Sequence, residues 1–241
     1  MLKKTLPGLI LVFFFVSLIG CGYHYFAGDL TPESEIRQLP SMEVRDDGSV
    51  AYIHERLEIS LRPVTDAELN RRFPEASQQG IKSTNPYTYG NWKDPVTHQT
   101  PQRFTVFLLK VKNYTFPKVQ IDPAKIKIVC QNGRQYSSLS LLELKEYYYP
   151  YVSGYSGVAS NRFEARKDIL RATLYSGDVI FSGQESEGYV VFPKLHYDVK
   201  EIAVHVNDVV LRFNVLGEPV ETVDLVFRFH RDVYKARQPR S

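Results

Sequence analysis

The sequence predicts a mainly β fold: a sandwich of strands interrupted by a helical insertion, with one short extra helix. Three observations lead there. The 241 residues are 13% aromatic, with 16 Tyr and one Trp, and Tyr and Val favour pleated, half-buried surfaces. Asn132-Gly133 stands between two alternating segments, the signature of a two-residue hairpin turn. Near the C-terminus, Val223, Leu225, Phe227 and Phe229 share one parity, with Asp224, Arg228 and His230 on the other. That is the period of a strand with one buried face.

The chain opens on Lys3-Lys4 and an apolar run from Leu6 to Ile19, a secretory signal by its charge and length. The run is shorter than the roughly 20 residues a stable membrane helix needs. It ends in Leu18-Ile19-Gly20-Cys21. These four residues resemble the lipobox of bacterial lipoproteins, with Ile19 a less common choice at its position. The resemblance implies cleavage after residue 20, a diacylglyceryl thioether on Cys21, and attachment to a membrane through that lipid. In enterobacterial lipoproteins an Asp after the Cys favours the inner membrane, so Gly22 implies the outer membrane, facing periplasm or cell surface. Two or more acyl chains make such an anchor durable.

Composition narrows the function. Of 30 basic residues Lys3 and Lys4 leave with the signal, so 28 face 27 acidic ones. That balance gives no field for nucleic acid. With Cys21 acylated, Cys130 has no partner for a disulfide and reads as a buried, inert thiol.

Residues 21–41, with Gly28, Pro32 and Pro40, read as the lipidated Cys and a tether without fixed fold. The sandwich domain is expected over 42–230. A turn at Asp46-Asp47-Gly48-Ser49 joins a short strand, 42–45, to a long one, 50–61. Thr65 with Glu68 forms a capping box for a helix over 66–72, and Val64 and Leu69 sit where a hydrophobic staple closes. Residues 74–102 form a long loop containing Tyr87, Tyr89 and Trp92. Those aromatics either present a binding surface or fold back to cover a sheet edge or core end, and the second reading is preferred. From Phe104 to Val111 the residues of both parities are apolar, as in a strand buried on two faces.

The hairpin 125–130/134–138 follows. Together with Asp122-Pro123 and the strand at 104–111 it resembles the immunoglobulin-like sandwiches of bacterial envelope lipoproteins. Gly188-Tyr189-Val190-Val191-Phe192-Pro193 is similar to the late strands of telokin-type lipoprotein domains. Between them, 140–176 is the helical insertion: Ser140 and Glu143 cap a helix to Tyr148, and Asn161 starts a second that Gly177 stops. Tyr147, Tyr148, Tyr149, Tyr151 and Tyr155 lie between the helices. Tyr combines contact area with a polar tip, which suits a protein or glycan partner, or equally a packed turn. Strands return at 179–181, 189–192, 201–206, 209–215 and 222–230, with loops or turns at 183–188, 207–208 and 217–219. Residues 231–241 read as a flexible basic tail.

No enzyme signature emerges. The six His are scattered without zinc-protease spacing, and no phosphate-cradling loop is present. Gly154-Tyr155-Ser156-Gly157 lacks the second glycine spacing of a nucleophile elbow. The expectation is a lipoprotein with a non-catalytic binding or structural role in the envelope, needing no cofactor or metal. The alternatives are a periplasmic hydrolase on a β-sandwich scaffold, or an accessory subunit of an envelope assembly or secretion complex. Replacing Cys21 by Ala moves the protein from the membrane pellet to the soluble fraction of broken cells; an immunoblot that still finds it in the pellet refutes lipidation at that sulfur.

Overall fold

The computed structural model describes residues 23–95, 97–151 and 158–237. In chain order the strands are β1 (Tyr23–Ala27), β2 (Thr31–Pro32), β3 (Met42–Val44), β4 (Val50–His54) and β5 (Leu57–Val64). After helix α1 (Asp66–Arg72) come β6 (Phe104–Asn113), β7 (Lys118–Val119), β8 (Ile126–Cys130) and β9 (Gln135–Ser137). Helices α2 (Leu141–Tyr148) and α3 (Val158–Thr173) are followed by β10 (Ile180–Phe181), β11 (Gln184–Pro193), β12 (Glu201–Phe213), β13 (Pro219–His230) and β14 (Val233–Arg237).

Two five-stranded antiparallel sheets carry the fold. The front sheet has the order β11-β6-β5-β4-β3 and the back sheet β2-β13-β12-β8-β9. They pack face to face around one apolar core. Phe107, Leu109, Val111 and Phe192 project from the front sheet, and Val204, Val206, Phe227 and Phe229 from the back. The rings of Phe107 and Phe229 meet across the interface at 5.3 Å between centroids.

The other face of the front sheet is also covered. Phe104, Val106, Tyr189 and Val191 join Leu69 of α1, Leu144 and Tyr148 of α2, and Leu170 of α3 in a second buried cluster. The helical insertion is therefore a third layer. The two-faced burial expected of β6 follows: Phe107, Leu109 and Val111 are fully buried on one side, Phe104 and Val106 nearly so on the other. The strand order departs from an immunoglobulin domain, which divides its strands as ABED and CFG. Here four successive strands, β3 to β6, form one meander. The fold is mainly β and sandwich-like, and its order does not carry the immunoglobulin resemblance.

Both expected caps form, but only the one at Ser140 is a full capping box. Glu68 N donates to Thr65 Oγ1 at 3.2 Å, and Ser140 and Glu143 make the reciprocal capping box. The Glu68 carboxylate, however, pairs with Arg62. Cys130 is buried, and its thiol is pushed up by that burial.

Five details differ from expectation. The strand expected over 50–61 is a hairpin, β4–β5, turning at Glu55-Arg56 with Glu55 at φ 54°; no Asn or Gly marks that turn. From Gln184 on, the loop expected at 183–188 belongs to β11: Glu185 and Glu187 lie across from Lys112 and Lys110, and both carboxylates reach the Lys110 ammonium. The turn expected at Asn207-Asp208 is a bulge within β12, because both halves pair with the same partner, β13. Helix α3 starts at Val158 rather than beyond Asn161.

The fifth difference is the largest. The tether of 21–41 and the tail of 231–241 are not free segments over their described residues: β1 pairs with β14 from Tyr23↔Arg237 to Ala27↔Val233. Downstream, Gln38 Nε2 donates to Arg228 O at 2.8 Å and Gln38 Oε1 accepts from Arg228 N at 3.0 Å. A side-chain amide thus continues the pairing that β2 begins on β13, and it closes an otherwise open sheet edge. Cys21, Gly22 and residues 238–241 lie outside the described residues.

Candidate functional site: an aromatic pocket with two arginines

The long loop 74–102 is held by buried amides and hydroxyls rather than by regular structure. Asn85 is fully buried. Its Oδ1 accepts from Tyr87 N at 3.0 Å, and its Nδ2 donates to Ser77 Oγ at 2.9 Å. Thr88 Oγ1 donates to Asn70 Oδ1 at 2.6 Å, and Asn70 Nδ2 donates back to Gly90 O at 3.2 Å. Gly90 has φ 61°, and a Cβ there would lie 2.3 Å from Ser77 O, so only glycine fits. This network fastens the loop to α1 and fixes where its aromatics point.

Those aromatics meet the insertion. Tyr87 is fully buried, its hydroxyl 2.5 Å from Thr173 Oγ1 on α3 and its ring edge-on to Tyr189. Tyr148, at the end of α2, is also buried; its hydroxyl donates to Pro86 O at 2.5 Å and accepts from Arg103 Nη1 at 2.7 Å. Burial pushes both phenols above their ordinary range. Two tyrosine stretches far apart in sequence thus converge on one place.

At that place lies a pocket of about 360 Å³, lined by Ile81, Tyr89, Trp92, Pro101, Arg103, Tyr148 and Arg166. The Arg103 guanidinium sits 4.0 Å from the Tyr89 ring centroid and 5.5 Å from that of Tyr148. Arg166, buried on α3, lies 4.9 Å from the Tyr148 centroid and donates from Nη2 to Ser83 O at 2.6 Å. For Arg103, cation–π contact of this kind holds the guanidinium without neutralising it. Among the described residues Arg103 makes no salt bridge, and its Nε is buried without a hydrogen-bond acceptor. Tyr89 and Trp92, half-buried and 5.8 Å apart by centroids, form the pocket's aromatic side.

Of the candidates read from the sequence, Tyr89 and Trp92 line the pocket, and Tyr148 contributes its floor. Tyr87 is corrected as a contact residue: it is fully buried, outside the pocket lining, and its hydroxyl finds its partner inside; Tyr148 keeps its place in the lining, but at 2% exposure its hydroxyl is spent on Pro86 O and Arg103. Tyr147 packs edge-on against Phe104 and is partly exposed, and Tyr149 is 64% exposed. Tyr151 ends a single 3-10 turn, Tyr149–Tyr151, and Tyr155 lies outside the described residues. Sequence reading missed Arg103 and Arg166. Arg103 directly precedes an apolar strand and Arg166 sits mid-helix, and neither position carries a local signal.

A second concavity, about 300 Å³, adjoins the first through Pro101 and is lined by Tyr25, Asp29, Thr65, Asp66, Thr100, Lys194 and Tyr197 among others. Burial, with Asp29 adding, pushes the Asp66 carboxyl up to about 7, against the pull of Arg103 and Lys194. Asp29 itself is exposed. Among the described residues no His, Cys, Asp and Glu group is arranged to hold a metal ion, and no helix is long and apolar enough to cross a membrane.

Tyr148→Phe removes a hydroxyl with partners on both sides and leaves Pro86 O and Arg103 short of one bond each. It is expected to cost about 1–3 kcal/mol in urea unfolding, whereas Tyr149→Ser stays within about 0.5 kcal/mol; equal costs would contradict the packing assigned to Tyr148. Compared with known proteins, the chain matches no family model, no curated protein and no solved structure.

Proposed function

We propose that this chain is a lipid-anchored envelope lipoprotein, attached through Cys21 at the outer membrane, whose role is non-catalytic binding. The pocket at Arg103 and Arg166 is its ligand site. The ligand class is an anionic glycan, a sugar frame bearing carboxylate, phosphate or sulfate. One observation carries this reading: two separate aromatic stretches come together around the Arg103 guanidinium, which the rings of Tyr89 and Tyr148 hold, with Arg166 on the same pocket wall. Guanidinium forks pair with such anions in two-point geometry, and flat rings give the sugar an apolar surface. The volume sits at the small end of the roughly 300–1,000 Å³ typical of ligand pockets.

A hydrolase reading draws on Asp66, whose carboxyl changes charge near neutral pH as a general acid or base must. Its nearest acidic companion in that cleft, Asp29, is exposed, so the cleft lacks a pair of carboxylates held in distinct environments. The aromatic pocket supports binding more directly. An accessory role in an envelope assembly is compatible with the same pocket.

Trp92 is the single tryptophan of the chain and lines the pocket, so it reports occupancy without a label. Titration with anionic oligosaccharides is expected to change its emission saturably, and uncharged homologues to bind more weakly. Arg103→Gln is expected to weaken binding about tenfold or more, one lost charge-assisted contact being worth roughly 1.5–3 kcal/mol. Unchanged affinity in Arg103→Gln, or equal affinity for charged and uncharged sugars, would overturn the proposal.

A further inference from the structure

We infer that the β1–β14 ribbon is the membrane-facing end of the domain and lies against the lipid headgroups. The inference rests on the lipoprotein reading and adds an orientation to it. The ordering of β1 supplies the constraint. In sequence only Gly22 separates Cys21 from Tyr23, where β1 begins. Two peptide units reach about 7 Å. An acylated Cys21 therefore holds the start of β1 at the bilayer surface, with no leash that would let the domain stand away.

The surface at this end suits a lipid interface. Tyr25, Tyr197 and Tyr234 are 45%, 44% and 57% exposed. Tyr25 stacks on Tyr197 at 4.4 Å between centroids, and Phe26 on Tyr234 at 5.5 Å. Lys235 Nζ lies 5.6 Å from the Tyr25 ring centroid. Rings with a polar tip concentrate at membrane–water boundaries, and basic residues beside them favour anionic headgroups. Arg237 and Arg240 continue the positive charge in sequence, while Asp29 and Asp232 are the acidic residues flanking the ribbon.

The opposite end gives the comparison point. β13 runs 12 residues from the β12–β13 turn to His230 beside the ribbon, a span of about 40 Å at 3.3 Å per residue. Val215 and Leu216 at that turn are 102% and 79% exposed. The turn is well held: Asn214 Oδ1 accepts from Leu216 N and Glu218 N at 2.9 and 2.8 Å. A domain lying on the bilayer through its ribbon keeps this apolar turn away from lipid.

The test uses full-length acylated protein in vesicles of phosphatidylethanolamine and phosphatidylglycerol, with lipids brominated close to the headgroup. Tyr234→Trp and Leu216→Trp are compared, the Trp92 signal of the parent being subtracted from each. Quenching severalfold stronger for Tyr234→Trp supports the inference. If Tyr234→Trp loses its far-ultraviolet circular dichroism, Tyr25→Trp replaces it. Equal quenching, or stronger quenching for Leu216→Trp, in protein whose N-terminal peptide carries the diacylglyceryl mass overturns the orientation alone. A mature N-terminal peptide without that mass overturns the lipoprotein reading, and the orientation with it.

Discussion

Burial of the front sheet on both faces is the constraint from which the rest of the structure follows. A sheet with one apolar face needs only a second sheet. Strand β6 places Phe107, Leu109 and Val111 against the back sheet and Phe104 and Val106 on the opposite side. Each fully buried side chain of this kind is worth roughly 1.5–3 kcal/mol relative to exposure. Leaving the outer side bare would forfeit several of these at once. The helices are the cover. Leu69, Leu144, Tyr148 and Leu170 come from three different helices and meet on the same patch. The insertion is thus part of the core and not an ornament on a loop.

The pocket is a by-product of how that cover is assembled. The long loop and the insertion approach the outer face from two directions, and they meet at the start of β6. Asn85 and Asn70 fasten the loop; Tyr148 joins it to α2 through Pro86 O. The seam leaves Arg103 between the rings of Tyr89 and Tyr148, with Arg166 beside the second of these and bonded to Ser83 O. A guanidinium held by rings keeps its charge available to a ligand, while one already in a bidentate ion pair, such as Arg62 with Glu68, does not. The same seam brings Asp66 near enough to Arg103 to feel its charge.

Local signals account for what sequence reading recovered. The two-sided apolar run at 104–111, the Asn132-Gly133 turn, the Thr65 cap and the Ser140–Glu143 capping box depend on neighbours in the chain, and all appear in the structure. What escaped depends on distant partners. Glu55-Arg56 turns a strand without glycine because β4 and β5 pair so well on either side. The polar stretch 184–188 is a strand because β6 lies beside it and supplies lysines to its glutamates. Tyr23 to Ala27 looked like tether because its partner is more than 200 residues away. The site divides the same way: Tyr89 and Trp92 were visible as an aromatic stretch, whereas Arg103 and Arg166 acquire meaning only where loop and insertion meet.

Native-state amide hydrogen exchange tests most directly whether the helical layer is core. If the outer face of the front sheet depends on it, the amides of α2 and α3 exchange with nearly the same opening free energy as those of β6 from Phe107 to Val111, as one cooperative unit. Helices that open several kcal/mol more easily, while β6 keeps its full protection, would contradict this account.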